Sequence, residues 1–334
     1  PQIQGGFGID AQWSDDFHHC IHSLLTTERA GYYEDFGEME HLAAAWSRSF
    51  VYNWCYSPFR KRFHGSDVGD RPGSQFVVCA QNHDQIGNRM LGERLAQLIS
   101  FDGLKLAAAN VLLAPALPLL FMGEEYGEET PFLYFISHTD EDLVQAVREG
   151  RKREFAAFHL DRDPPDAASL DTFNRCILNW EQRNQGHHGT LRQFHQTLIE
   201  LRRSLPPLMN FERDALEVQH NNGDRWLRVR RWTESEEVMI WMNWNTGAIA
   251  LPSESIDSSQ SSEPWHKRLD SADRRWKGSG QVLPHTLPGD PSSESSSKSS
   301  SGSSSEPSPE LSAEQRSIEM APLSVAVYHR AIHH

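Results

Sequence analysis

The sequence has few cysteines and no long hydrophobic run, and both absences narrow the kind of protein that it describes. Its four cysteines, Cys20, Cys55, Cys79 and Cys176, are widely spaced and form no Cys-x-x-Cys pair. This usage favours a reduced, cytoplasmic protein over a disulfide-stapled secreted one. No apolar run approaches the length of a membrane-spanning helix. The chain begins Pro-Gln-Ile-Gln, without an initiator methionine or a signal peptide, so we expect an internal start.

Basic residues are scarce relative to acidic ones. The 334 residues include 32 Lys and Arg against 46 Asp and Glu, for a formal net charge of −14. Nucleic acids and anionic membrane surfaces are polyanions, so neither is an expected partner. A neutral ligand such as a sugar is compatible with this charge.

Apolar residues are also few, at 38% of the chain, and serine-rich stretches account for part of the deficit. The stretches at 253–262 and 291–309 cannot bury enough apolar surface to fold, so we expect disordered inserts there. A composition shift near residue 208 predicts two domains, 1–207 and 208–334. Short strand-like runs predict a small antiparallel β domain in the second part. These runs are Trp226–Trp232, Val238–Trp244, Ala248–Leu251 and Leu323–His329.

The stretch that organises the first part begins with the apolar run Phe76–Ala80, which follows a Pro-Gly break. A short apolar run bounded by turn residues predicts a buried strand. It changes at once to the polar residues Asn82, His83, Asp84 and Gln85. In α/β barrels the carboxyl ends of the strands carry the chemistry, so this cluster is a candidate site.

A second buried strand, Leu117–Met122, is followed by Glu124, and the interval between the two strands has the spacing of a βαβ unit. The basic run Phe59–Gly65 is interpreted as a loop, either solvated or facing a substrate. Helical periodicity predicts helices at Asp15–Thr26, 38–50, Arg89–Ile99, Leu104–Leu113, 140–158 and Leu191–Ser204.

Two histidines of the first helix, His18 and His22, are four residues apart and share a helix face. They are either ordinary helix histidines or part of a metal site. A metal site needs a third ligand from another element, and nothing in the sequence marks one. We therefore expect no metal.

Three motifs in order along the chain resemble one enzyme family. They are NHDQIGN at Asn82–Asn88, FMGEEYGE at Phe121–Glu128 and EGRKREF at Glu149–Phe155. With GYYEDFG at Gly31–Gly37 and the TPFLYF that begins at Thr130, they resemble the malto-oligosyltrehalose trehalohydrolases of the α-amylase superfamily (glycoside hydrolase family 13). The resemblance runs from about residue 6 to residue 208 and returns weakly in the tail.

The resemblance implies an α/β fold: about strands six to eight of a (β/α)8 TIM barrel, followed by a small antiparallel β-sandwich domain. It implies that Asp84 stabilises the transition state. It also implies release of trehalose from maltooligosyl trehalose, or action on a related α-glucan, without a cofactor. The residues that it implies for substrate binding are Trp13, Asp15, Asp16, His18, His19, Tyr32, His83, Gln85, Asn88 and Glu124.

Retaining glycosidases need a carboxylate nucleophile and a carboxylic acid about 5–5.5 Å apart. In the family these lie on strands four and five. The stretch Gly6–Ala11 imitates the nucleophile motif, but Gly8 stands where the family has arginine. We therefore expect a fragment that lacks both groups and is inactive alone. Two alternatives remain: another α-amylase-family enzyme such as a glycogen branching enzyme, which TPFLYF and EGRKREF disfavour, or a non-catalytic carbohydrate-binding remnant.

Overall fold

The computed structural model describes residues 3, 5–156, 163–252, 263–288 and 318–332. Both serine-rich stretches, 253–262 and 291–309, lie outside the described residues. None of the helices in those ranges combines the length and hydrophobicity that crossing a bilayer requires.

The first two thirds of the chain are mainly helical. The α-helices are α1 Asp15–Thr26, α2 Met39–Arg48, α3 His83–Gly87, α4 Leu95–Leu98, α5 Phe101–Leu113, α6 Glu141–Ala156, α7 Leu170–Asn174, α8 Gly186–Ser204 and α9 Pro206–Met209. Short 3-10 helices lie at Gly31–Asp35, Gly73–Gln75, Glu124–Tyr126, Trp180–Asn184, Arg213–Ala215 and Arg274–Trp276.

The strands before residue 208 have two to five residues, and the longest strands lie after it. They are β1 Gln12–Trp13, β2 Asn53–Ser57, β3 Arg62–Gly65, β4 Phe76–Val78, β5 Leu117–Pro118, β6 Leu216–Asn221, β7 Trp226–Trp232, β8 Glu236–Asn243, β9 Ile249–Ala250, β10 Trp265–Asp270, β11 Thr286–Leu287, β12 Glu319–Met320 and β13 Ser324–Ala331.

Three of the short strands form a parallel sheet in the order β1-β4-β5. Trp13 pairs with Val77, and Val78 pairs with Pro118. The ladder continues past the strand ends, because the Ser14 amide donates to the Val77 carbonyl at 2.9 Å. All three strands run the same way, so their carboxyl ends meet at one edge.

The carboxy-terminal part contains a six-stranded sheet in the order β11-β10-β13-β8-β7-β6, with antiparallel pairing throughout. A two-stranded ribbon, β9 with β12, lies over one face. Side chains of β8 alternate between two apolar clusters: Met239 and Trp241 pack toward the ribbon, while Val238 and Ile240 face the helices. This alternation is the period of a strand buried on both faces.

One apolar cluster extends across residue 208. It joins Phe17 of α1, Leu106 of α5 and Phe194 of α8 to Ile240 and Val325 of the large sheet. The helices of the first part therefore cover one face of the antiparallel sheet. The division into domains 1–207 and 208–334 stays a prediction.

The prediction of a helix at Arg89–Ile99 is wrong. That segment consists of turns, with α3 ahead of it and the short α4 within it. Gly92 has φ +62°, and a Cβ there would lie 2.5 Å from the Phe132 carbonyl oxygen, so a close crossing of two backbone segments interrupts the helix. The buried Arg94 side chain holds the crossing by donating to the carbonyls of Thr130 and Met122 at 2.5 and 2.8 Å.

Two other predictions need correction, and several are confirmed. The strands predicted at Phe76–Ala80 and Leu117–Met122 end after three and two residues, at Val78 and Pro118. The run predicted as a basic loop contains strand β3, which pairs with β2 as a hairpin. The helix Asp15–Thr26 and the strand Trp226–Trp232 have the predicted bounds.

Arg202 generates the first prediction. Its buried guanidinium donates to the carbonyls of Leu112, Ala114 and Ala116 at 2.8, 2.8 and 2.7 Å, at the turn between α5 and β5. We expect Arg202→Ala to lower the free energy of unfolding by about 3 kcal/mol, because three buried carbonyls lose a charged donor.

Urea unfolding measures this loss. The neighbouring exposed residue supplies the control: Arg203→Ala should change the unfolding free energy by less than about 0.5 kcal/mol. Equal effects of the two substitutions would contradict a role for the carbonyl contacts.

Candidate active site

Asp84 and His83 lie exposed at the carboxyl edge of the parallel sheet. Their side chains are 63% and 55% exposed, and His83 Nε2 lies 3.3 Å from Asp84 Oδ1. The ring of Trp13, which ends β1, approaches the His83 ring edge-on with centroids 6.1 Å apart. Residues that follow two neighbouring strands thus share one surface.

The cap of helix α3 is Asn82. Its side-chain oxygen accepts a hydrogen bond from the Asp84 amide at 2.8 Å, and the Asn82 amide donates to Gln85 Oε1 at 3.0 Å. These two bonds form a capping box. The carboxylate of Asp84 is therefore not used for capping.

Gln85 connects this turn to helix α1. Its Nε2 donates to Asp15 Oδ1 at 3.2 Å, while its oxygen caps α3. Burial raises the pKa of Asp15, and the negative charge of the nearby Asp84 raises it further. The charge of Asp84 therefore affects the protonation of Asp15.

A cavity of about 780 Å3 lies between the first strand and the β2–β3 hairpin. Four predicted site residues line it: Trp13, Asp15, Asp16 and His19. His83, Asp84, Gln85, Asn88, His18, Tyr32 and Glu124 are not part of its lining.

Asp16 is buried and holds the backbone that leads into the hairpin. One carboxylate oxygen accepts from the amides of Val51 and Tyr52 at 2.8 and 3.1 Å. Burial raises the pKa of Asp16 despite these hydrogen bonds. It reaches the cavity wall with one carboxylate oxygen already bonded to two backbone amides.

His18 is buried between α1 and the end of β4. Its Nδ1 donates to the Ala80 carbonyl at 2.5 Å, and its Nε2 lies 2.9 Å from the Tyr33 hydroxyl. Burial holds the pKa of His18 well below its usual range, so the ring is neutral and Nε2 accepts from Tyr33. His22, its partner on the same helix face, bonds to Glu28 at 2.8 Å. Both rings of the considered metal pair are therefore bonded to protein groups.

His19 and Tyr32 pack together at the cavity, with ring centroids 4.7 Å apart. Burial, and to a lesser degree the positive charge of Arg60, lower the pKa of His19 to about 3. The Tyr32 ring also meets Phe59 edge-on at 6.3 Å. The rings of His19, Tyr32 and Phe59 form an aromatic wall, in which the imidazole of His19 is neutral.

Glu124 lies inside the protein rather than on the exposed edge. Its Oε2 accepts from the Phe121 amide at 3.2 Å, and burial raises its pKa to about 8. Near neutral pH the carboxyl group is largely protonated. Asn88 is exposed, and its side-chain oxygen accepts from Arg151 at 3.3 Å.

Two arginines at the site are not among the site residues that the sequence predicts. Arg60 lines the cavity and donates to the Tyr52 hydroxyl at 2.9 Å. Arg151 belongs to the motif EGRKREF, and its side chain is 12% exposed and donates to the Gly87 carbonyl at 3.1 Å. It lies 4.6 Å from the ring centroids of both Tyr134 and Phe155. Aromatic residues near both arginines were the available signal.

Glu124 generates a pH prediction. The pKa of Glu124 in the folded protein lies above its usual value of 4.5. Protonation of Glu124 therefore stabilises the folded state fully below pH 4.5, and this stability is lost as the pH rises through about 8. Glu124→Gln removes the titration. The variant should gain roughly 5 °C in thermal midpoint relative to the parent between pH 5 and pH 9, because titration over about three pH units is linked to about 4 kcal/mol.

Thermal unfolding at both pH values measures the gain. The same substitution at an exposed acid, Glu181→Gln, serves as the control and should leave the pH dependence of the parent unchanged. If the thermal midpoints of Glu124→Gln and the parent change equally with pH, Glu124 is ionised in the folded protein.

The fold is that of α-amylase-type enzymes. A crystal structure described as an α-amylase from Salmonella typhimurium superposes with a TM-score of 0.72 at 30% identity, covering 97% of this chain and 47% of that one. The α-amylase of H. orenii superposes with a TM-score of 0.51 at 12% identity, covering 99% and 50%. The second likeness concerns the fold alone.

No protein-family model matches the chain. Curated relatives named malto-oligosyltrehalose trehalohydrolase include that of Saccharolobus solfataricus, 44% identical over 69% of this chain and 38% of its own length. Those of Rhizobium sp. and Mycobacterium tuberculosis are 42% and 40% identical, over 72% and 74% of this chain and 40% and 43% of theirs. The chain thus spans about two fifths of the length of these relatives. The resemblance that its motifs indicated is confirmed, and the chain is a relative of the malto-oligosyltrehalose trehalohydrolases of the α-amylase superfamily.

Proposed function

We propose that the protein to which this chain belongs is a glycoside hydrolase that releases trehalose from maltooligosyl trehalose. It would cut the α-1,4 glucosidic bond next to the terminal trehalose unit. The observation that carries the proposal is the pair His83 and Asp84, exposed beside Trp13 at the carboxyl edge of a parallel sheet. The names of the curated relatives support the choice of substrate.

The finer assignment of the fold is part of the same proposal. We assign β1, β4 and β5 to about strands six, seven and eight of a (β/α)8 barrel. Parallel order and a shared carboxyl edge support this assignment. The large antiparallel sheet and its ribbon would form the β-sandwich domain, with the boundary near residue 208.

Asp84 would stabilise the transition state. Its carboxylate is exposed and free of the helix cap, so its charge can face the positive charge that develops on the sugar ring. His83 would donate a hydrogen bond to a hydroxyl of the same sugar. The nucleophile and the proton donor of the double displacement would come from a part of the protein other than this chain.

The remaining site residues fall into two groups. Trp13, Asp15, His19, Tyr32 and Asn88 have surfaces on the cavity, the aromatic wall or the exposed edge, and we assign them to substrate contact. The second group is buried and bonds to protein groups, and we assign it to holding the edge in shape rather than to contact with sugar. This group comprises Asp16, His18, Gln85 and Glu124.

A second candidate function is carbohydrate binding without catalysis. The cavity and the exposed ring of Trp13, 47% accessible, would serve this function equally well. A branching enzyme shares the barrel and the His-Asp pair but lacks the support of the relatives' names. Assaying this chain beside the full-length protein separates hydrolysis from binding, because only a hydrolase releases trehalose when it is complete.

Asp84→Asn tests the catalytic assignment in the complete protein. Loss of the negative charge should lower kcat for trehalose release by about a hundredfold or more, with KM changed much less, because the charge acts mainly in the transition state. Trehalose release from maltooligosyl trehalose is the measurement, with thermal unfolding to show that the fold is kept.

The matched control is Asp70→Asn, an isosteric change at another exposed acid, which should leave kcat unchanged. Near-normal turnover of Asp84→Asn would mean that Asp84 is a surface acid of the first turn of α3 and that the active-site assignment fails.

The 334-residue chain alone should bind maltooligosyl trehalose without hydrolysing it. Loss of both the nucleophile and the acid costs several orders of magnitude in rate, whereas the cavity remains. Quenching of tryptophan fluorescence measures binding. Trp13→Ala should reduce the affinity for maltooligosyl trehalose at least several-fold. Release of trehalose at the rate of an ordinary enzyme would show that this chain holds a complete catalytic set.

A further inference from the structure

We propose that Glu129, His187 and His188 form a binding site for a transition-metal ion, with Zn²⁺ as the ion that fits best. Each residue offers one ligand atom, and these atoms lie within 4.8 Å of one another. Glu129 lies on the loop that follows β5, and the two histidines lie in the first turn of α8. None of the three lines the cavity of the candidate active site.

His188 is oriented as a metal ligand usually is. The residue is 8% exposed, and its Nδ1 donates to the Tyr126 carbonyl at 2.8 Å. Histidines that bind metals almost always use the second ring nitrogen in this way, which fixes both tautomer and orientation. The arrangement leaves Nε2 of His188 as the ligand atom.

His187 and Glu129 complete the donor set from the exposed side. His187 Nε2 lies 3.9 Å from Glu129 Oε1, too far for a hydrogen bond, and the two imidazole centroids are 3.9 Å apart. Ligand atoms around a tetrahedral Zn²⁺ are about 3.3 Å apart, given bond lengths of about 2.0–2.2 Å. Small movements of two exposed side chains are enough to close the site.

The loop that carries Glu129 is held in place by its neighbour. Glu128 accepts hydrogen bonds from the Tyr126 hydroxyl at 2.8 Å and from the amides of Thr130 and Asn179 at 2.8 and 2.7 Å. The backbone on both sides of the site is therefore fixed without the ion. Such preorganisation lowers the entropic cost of binding.

The chemistry of the donors selects the ion. Two imidazoles and one carboxylate suit Zn²⁺ and similar transition metals, whereas Ca²⁺ and Mg²⁺ prefer oxygen ligands. The positive end of the α8 dipole opposes a cation, and the charge of Glu129 offsets it.

An ion at this site would join two segments that are far apart in the sequence. It would fasten the loop after β5 to the start of α8, whose later residues pack into the apolar core. Three protein ligands leave a fourth position for water. The effect that we infer is the joining of these two segments, so the inference stands apart from the proposed hydrolysis and its test needs no activity assay.

The test is a titration of the metal-free 334-residue chain with Zn²⁺ by calorimetry, together with Co²⁺ substitution followed by visible absorption. We expect one ion per chain and a rise in thermal midpoint. Glu129→Gln and His187→Ala should each weaken Zn²⁺ binding at least about tenfold. Both changes are at exposed residues, so folding is kept, which circular dichroism checks.

Matched controls are Glu125→Gln, an acid of the same loop, and His138→Ala, an exposed histidine elsewhere. Both should bind Zn²⁺ like the parent. Absence of saturable Zn²⁺ binding would overturn the proposal, and so would equal binding by Glu129→Gln, His187→Ala and the parent. Competition by Ca²⁺ at concentrations similar to Zn²⁺ would also overturn it, because a site built on imidazoles does not bind Ca²⁺ well.

Discussion

The shortness of the parallel strands is the constraint on which the candidate site depends. Strands of two or three residues form few ladder hydrogen bonds, so pairing alone holds the carboxyl edge weakly. Buried polar side chains supply the missing connections. Asp16 bonds to the backbone ahead of the hairpin, His18 to the carbonyl after β4, and Gln85 to α1 and α3 together. These hydrogen bonds thus hold in place the segment that carries the exposed pair His83 and Asp84.

Buried arginines solve a related problem at the turns. A chain that leaves a helix or a short strand exposes carbonyl oxygens, and in the interior each needs a donor. Arg94 supplies donors to the crossing near Gly92, Arg202 to the turn between α5 and β5, and Arg231 to the Leu113 carbonyl at 2.7 Å. A guanidinium has five donors and serves several carbonyls at once. Buried arginines therefore bond to the backbone at the crossing near Gly92 and at the turn after α5.

The carboxyl groups near the edge differ in charge state because their surroundings differ. Burial raises the pKa of Glu124 to about 8, whereas Asp84 is exposed beside His83. Asp15 stands between these extremes, with a pKa raised by burial and by Asp84. Burial thus favours the neutral form of Glu124, while the carboxyl group of Asp84 is exposed to solvent. Such an arrangement suits the stabilisation of a cationic transition state.

Much of the local structure could be predicted from the sequence. Helical periodicity placed α1, and strand-like runs placed β7, at the bounds observed. The order of apolar run and polar cluster located His83 and Asp84 at a strand end, and three motifs pointed to the relatives that comparison found. Periodicity and motif order are local properties, which is why one sequence suffices for them.

Other features were decided only by the tertiary structure. The helix predicted at Arg89–Ile99 is broken because a second backbone segment crosses at Gly92, and nothing local announces that crossing. Whether an acid faces solvent or the interior depends on what packs above it, so Glu124 and Asp16 could not be separated from Asp84 by spacing. The grouping of Glu129 with His187 and His188 arises from contact between a loop and a helix almost sixty residues later. The sequence thus determined which chemical groups stand at the strand ends, and long-range packing determined their exposure, charge and neighbours, because burial is a property of the assembled chain.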